Sequence, residues 1–267
     1  MQWTERRRRV GNVGSGYSTT RHVPYDTKET YIDQTIVVWS GDGSPSETIG
    51  PGTYSYKFRF SLPQSAPPSF KGKHYGKIKY VMRGRIRTGH LFQHDPRIKI
   101  PIQVNGIRDV NLPKFATSVH QSTQKQVGCC CCAGSVEHSA DLTRTGFSVG
   151  SNIPINVNVV NESSYRIKMR ASIKKLIIFS AAGQTRQQQS KLSSVLSDHI
   201  APHSQHSWNV DNLIVPTTEP SFERSRILKI QYIVKVTALI PWAKNSSVSI
   251  PITIGTVPLS DSNNDLN

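Results

Sequence analysis

The chain has 267 residues, of which 36% are hydrophobic, and its 33 Lys and Arg against 17 Asp and Glu give a net charge of +16. No apolar run approaches the ~18 residues that a spanning helix needs, and the basic start (Arg6, Arg7, Arg8 and Arg9) has no apolar run behind it, so no secretory signal is readable. The charge points to acidic partners, whether nucleic acid, anionic lipid or phosphorylated protein, without choosing among them.

In chain order, the first apolar run is Ile36, Val37, Val38 and Trp39, whose β-branched content predicts a strand. Over residues 54–62 every even position is large and apolar: Tyr54, Tyr56, Phe58, Phe60 and Leu62. That period of two predicts a half-buried strand, ended by Pro63, Pro67 and Pro68. Residues 77–87 predict the next strand. Ile78, Tyr80, Met82 and Ile86 share one face, and Lys77, Lys79, Arg83, Arg85 and Arg87 share the other. Same-face neighbours two apart sit about 7 Å from each other, so five cations aligned in this way add their fields. They are the candidate docking strip for phosphates of an acidic partner; a merely soluble outer face is the competing reading.

A polar stretch at 111–126 carries Pro113 and reads as the joint between two sets of strands. All four cysteines follow it consecutively, as Cys129, Cys130, Cys131 and Cys132. Adjacent cysteines do not form a spread disulfide framework, which suits a reducing, cytosolic location. The run admits three readings: a zinc site, which lacks a second pair of ligands; S-acylation of a thiol cluster; and, preferred, thiols acting as small hydrophobes at a strand start.

Alternation resumes in the second half. It places Ile153, Ile155, Val157 and Val159 on one face of a strand, then Ile167, Met169, Ala171 and Ile173, then Leu228, Ile230, Tyr232, Val234 and Val236, and last Val248, Ile250, Ile252 and Ile254. Residues 180–190 read as turn-rich, and 191–200 as a strand, although Leu192, Val195, Leu196 and His199 also fit a helical turn. Many short strands separated by turn signals mean an all-β sandwich or barrel.

The sequence offers no Gly-x-Ser-x-Gly elbow, no His-Glu-x-x-His and no phosphate-binding glycine loop, so it predicts neither an enzyme nor a cofactor. His199, His203 and His206 read as solvated loop histidines rather than metal ligands, and no metal is expected. Nucleic acid is disfavoured as the partner, because the aromatic residues at 54–60 read as core rather than as a stacking platform.

Three segments together resemble the arrestin-domain-containing proteins, the α-arrestins. The first runs from Gly52 through the alternating aromatics to Pro63, then Pro67, Pro68, Ser69 and Phe70, with Gly76 and Tyr80 beyond. The second is the cysteine run followed by Gly146, Phe147 and the Asn161-Glu162-Ser163-Ser164 turn. The third is Ile214-Val215-Pro216, then Ile230-Gln231-Tyr232, then the closing run from Ile250 to Thr256. The resemblance implies two tandem immunoglobulin-like antiparallel β-sandwiches, at 1–115 and 122–258, with a disordered tail at 259–267. It implies that Met1 begins at a strand from the middle of the first sandwich, which is therefore incomplete. It further implies a non-enzymatic adaptor for membrane-protein cargo tails, cytoplasmic and peripheral at plasma membrane and endosomes. The family's Pro-Pro-x-Tyr ligase-recruiting motif is not found, since Phe70 stands where Tyr is needed, so any link to ubiquitin ligases is expected to be indirect. A subunit of a trafficking coat is the alternative reading.

Overall fold

Alternating apolar residues pair into ladders most fully in the second half of the chain. The computed structural model describes residues 2–8, 20–40, 50–63, 65–72, 75–87, 95–128 and 134–259. One sheet holds β7 (Val119–Val127), β8 (Gly134–Leu142), β10 (Ile155–Asn161) and β13 (Ser204–Val210), in the order β13-β10-β8-β7. The other holds β9 (Gly146–Ser148), β11 (Ile167–Ala181), β12 (Gln184–Ile200), β14 (Leu228–Leu239) and β15 (Ser246–Gly255), in the order β12-β11-β14-β15-β9. Between them lie Val136, Ala140, Val157, Val159, Met169, Ile173, Tyr232, Val236 and Ile250, all buried. Each buried Val, Ile or Met side chain contributes about 1.5–3 kcal/mol, which outweighs the weak local preference of any strand for its register.

All four second-half strands expected from alternation form, and 191–200 belongs to β12, a strand and not a helical turn. The expected turn at 180–190 shrinks to two residues: β11 and β12 continue to Ala181 and Gln184, joined by Ala182 and Gly183 at φ 48° and 71°. Two successive positive φ values make this the hairpin turn whose twist matches that of the strands. Half of the polar 111–126 stretch is β7, preceded by a 3-10 turn at Pro113–Phe115; a strand with one face in water is polar on that face. One pairing departs from the expected antiparallel pattern: β9 runs parallel to β15. Asn161 holds the turn after β10, its amide donating to the carbonyls of Tyr165 and Ala201 while its side-chain oxygen accepts from Ser163.

The first half is sparser. β1 (Gln2–Arg8) pairs with β2 (Thr20–Asp26), β3 (Phe70–Lys71) with β4 (Lys77–Ile78), and β5 (Tyr80–Arg85) with β6 (Arg97–Ile102), as three separate two-stranded pieces. Arg6, Arg7 and Arg8 lie in β1, and Arg9 lies outside the described residues. Two expectations fail here. Residues 54–62 join no ladder, and Tyr54, Tyr56, Phe58 and Phe60 are 40–52% exposed rather than core. Ile36, Val37, Val38 and Trp39 are likewise exposed and unpaired into strands. Alternation gives a segment one apolar face, but burial needs a second layer against it, and both segments stay exposed.

The halves meet through polar and aromatic contacts. The Glu29 carboxylate accepts from Ser225 Oγ at 2.7 Å and from the Tyr31 hydroxyl at 2.9 Å, with the Arg226 guanidinium 3.6 Å away. Burial pushes the Glu29 carboxyl up, but the hydrogen bonds from Ser225, Tyr31 and the backbone of Arg226 together hold it below its usual range. Burial likewise raises the Tyr31 phenol to about 12. Tyr75 lies edge-on to Phe179 with ring centroids 5.6 Å apart and accepts a hydrogen bond from Arg186 at 3.2 Å. Gly255 allows the Arg108 segment to close on the second half, since a side chain there would meet the Arg108 carbonyl at 2.5 Å.

Candidate docking face

The basic strip expected at 77–87 is split by the fold. β4 ends at Ile78 and β5 begins at Tyr80, so Lys79 falls between two strands, and Arg87 lies beyond the end of β5. Lys77 pairs across β4 with Lys71. Arg83 and Arg85 are the two members of the strip that sit in a common ladder, and all five cations are exposed.

The β5–β6 hairpin adds two cations that the sequence reading missed. Its register sets Arg83 opposite Lys99 and Arg85 opposite Arg97. The signal was present in the alternation of Arg97, Ile98, Lys99 and Ile100, which has the same period of two as the strip itself. Arg83, Gly84, Arg85, Arg97, Ile98 and Lys99 line a shallow depression of about 330 Å³. Gly84 leaves room there, since a Cβ at that position would meet the Ile98 side chain at 2.8 Å. Arg85 pairs with Asp95, its Nε donating to the carboxylate at 2.7 Å. Tyr80 anchors the start of β5, its hydroxyl donating to the Pro67 carbonyl at 2.7 Å, and burial raises its phenol pKa.

Like charges directly opposite one another destabilise a strand pair. The Arg83–Lys99 row therefore costs stability in isolation, the Arg85–Arg97 row is partly offset by Asp95, and both become more favourable when an anion lies across them. A phosphate fits this face: guanidinium groups present their donors in a planar fork that matches phosphate oxygens, and Lys99 adds a point charge.

Cys129, Cys130, Cys131 and Cys132 lie outside the described residues. His199 lies near the end of β12, His203 in the following turn at φ 53°, and His206 in β13. Among the described residues, no three His, Cys, Asp or Glu side chains converge as a metal site would require.

Comparison with known sequences is consistent across both halves. The family profile "Arrestin (or S-antigen), N-terminal domain" matches residues 1–111, and "Arrestin (or S-antigen), C-terminal domain" matches 132–259. Arrestin domain-containing protein 4 of Homo sapiens is 34% identical over 212 residues, which is 79% of this chain and 50% of that protein. The Mus musculus form of the same protein is 32% identical over 214 residues, 79% of this chain and 51% of that one. Thioredoxin-interacting protein of Mus musculus is 33% identical over 204 residues, 76% of this chain and 51% of that protein. The chain thus spans about half the length of the curated relatives it matches. Two consecutive family profiles on an all-β chain whose second half is a full sandwich leave one assignment: this protein is a member of the arrestin-domain-containing family.

Proposed function

We propose that the protein is an adaptor that acts by binding rather than catalysis, and that its β5–β6 face captures phosphorylated, acidic tails of membrane-protein cargo for endocytic sorting. The observation that carries this reading is the double row of facing cations, Arg83 with Lys99 and Arg85 with Arg97. Family membership supports the adaptor role, and the residues supply the chemistry: charge-assisted hydrogen bonds to phosphate, each contributing about 1.5–3 kcal/mol. The site of action is the cytoplasmic surface of plasma membrane and endosomes, where such tails are found. Trafficking proteins and, indirectly, ubiquitin ligases are the onward partners.

The test is a paired pull-down with phosphorylated and unphosphorylated tail peptides. Arg83→Glu with Arg85→Glu is expected to weaken phosphopeptide binding by at least about tenfold, the equivalent of one charge-assisted bond. Binding that survives the double reversal, or that ignores phosphorylation, removes the docking role from this hairpin. A second reading has one observation in its favour: the exposed row Tyr54, Tyr56, Phe58 and Phe60 has the amphipathic, aromatic character of a base-stacking platform. Phe58 and Phe60 already pack edge-to-face on each other at 5.6 Å. Single-stranded RNA binding that falls steeply with salt and is lost in the same double variant would select the nucleic-acid reading.

A further inference from the structure

The free edge of the five-stranded sheet lacks the devices that usually guard such an edge. β12 ends the sheet, and at 17 residues it is the longest of the described strands. Beyond the turn at Ala182 and Gly183, its outer half pairs with β11 without interruption. The run extends from Gln184 opposite Ala181 to Lys191 opposite Lys174, where a register shift breaks it. Edges are normally blunted by proline, lysine, bulges or short length. Residues 184–190 contain no proline, no bulge and a single charged residue, Arg186, which donates a hydrogen bond to the Tyr75 hydroxyl.

The turn geometry fixes which groups this edge presents. A two-residue turn is closed by a hydrogen-bonded pair, and such pairs recur at every second position of an antiparallel ladder. The closing pair is Ala181 with Gln184, so Gln184, Arg186, Gln188 and Ser190 direct their backbone groups to β11. Thr185, Gln187, Gln189 and Lys191 direct theirs outward, and all four residues are exposed. Among the described residues, no backbone hydrogen bond from outside the sheet reaches 184–191. Half-buried Gln188, in the middle of the run, adds an orphan side-chain group: its Oε1 is buried and accepts no hydrogen bond.

A second copy of the same strand satisfies these groups. In antiparallel pairing about a two-fold axis perpendicular to the sheet, directly opposed residues share a face, so the axis passes through a residue position. With the axis at Gln188, Gln187 stands opposite Gln189 and Thr185 opposite Lys191, both as hydrogen-bonded pairs. That arrangement forms about eight new backbone bonds. The two copies of Gln188 meet as a non-hydrogen-bonded pair, the closer kind at about 4.5 Å between Cα atoms, where the amide of one can donate to the orphan oxygen of the other. Arg186 faces Ser190, so no like charges are opposed. An unrelated extended peptide would find the same backbone groups but not the match of Gln188 to itself. We propose that residues 185–191 of β12 are a self-pairing edge, through which two copies of the chain join their five-stranded sheets into one continuous sheet about a two-fold axis at Gln188.

Sedimentation equilibrium of the full chain tests this, with Phe58→Ser and Phe60→Ser in every sample so that the apolar first half does not contribute. The expected result for this parent is a monomer–dimer equilibrium. Gln187→Lys with Gln189→Lys sets lysines opposite each other across the axis and is expected to weaken the dimer at least tenfold. Gln187→Lys with Gln189→Glu sets lysine opposite glutamate in the same register and is expected to dimerise at least as tightly as the parent. Both positions are exposed and neither backbone N–H serves β11, so both variants should melt near the parent's temperature. A parent that stays monomeric at every concentration overturns the proposal, as does a dimer indifferent to the paired lysines. Equal loss of the dimer in the two double variants overturns the axis at Gln188.

Discussion

His138 shows how much one side chain can depend on its surroundings. It belongs to β8, on the same inward row as Val136, Ala140 and Leu142, and is 1% exposed. Neither ring nitrogen has a partner of hydrogen-bonding geometry. Burial lowers its pKa to about 4 from 6.5, against an opposing pull from the backbone of Val236. The neutral ring is therefore the folded form, and the unfolded chain binds the extra proton. Stability supplied by this difference is complete above about pH 6.5 and is lost as pH falls through about 4, a total of about 3 kcal/mol. His138→Leu removes the dependence. The gap in urea-unfolding free energy between variant and wild type should widen by about 3 kcal/mol from pH 7 to pH 4. A constant gap would mean that the ring is protonated or solvated in the fold.

At the scale of elements, the β11–β12 hairpin makes the most direct prediction. Ala182 occupies a left-handed turn position at φ 48°, where its Cβ crowds the backbone, while Gly183 beside it is well suited. Ala182→Gly should raise stability by about 0.5–1 kcal/mol, read as an increase in melting temperature. This turn also shows where sequence reading loses resolution. Residues 184–190 carry Gln187, Gln188 and Gln189 with little apolar content, and β12 is an edge strand with one face in water, so its first half showed no alternation to detect. β10, β11, β14 and β15 were legible because both their register and their burial follow one rule, every second residue inward. The 54–62 segment obeys the same rule and still forms no ladder, since periodicity reports a capacity to pair and not the presence of a neighbour. Half of the candidate docking face, Arg83 and Arg85, was visible in the alternation of the basic strip. Arg97 and Lys99 join it only through hairpin register. The register shift that sets Lys191 opposite Lys174 is likewise something no linear pattern encodes.

Across the whole molecule, charge and apolar surface are unevenly shared. The second sandwich leaves Val149, Leu196, Ile214 and Trp242 as its exposed large apolar residues, whereas the first half leaves Tyr54, Tyr56, Phe58, Phe60, Leu62, Ile98, Ile100 and Ile102 exposed among others. Apolar patches of this extent drive association. Light scattering of this chain should show concentration-dependent self-association at moderate salt, reduced by Phe58→Ser with Phe60→Ser; a monodisperse monomer unaffected by those changes would contradict the expectation. The Glu29–Ser225 bond bears on how the protein is made. Its two ends lie 196 positions apart, and a ribosome adding 5–20 residues per second needs about 10–40 s to deliver the second after the first. Throughout that interval the nascent amino-terminal half waits without its clamp, Glu29 and Tyr31 still lacking the Ser225 hydroxyl. Translation speed through the last strands therefore sets how long the polypeptide stays vulnerable before the clasp shuts.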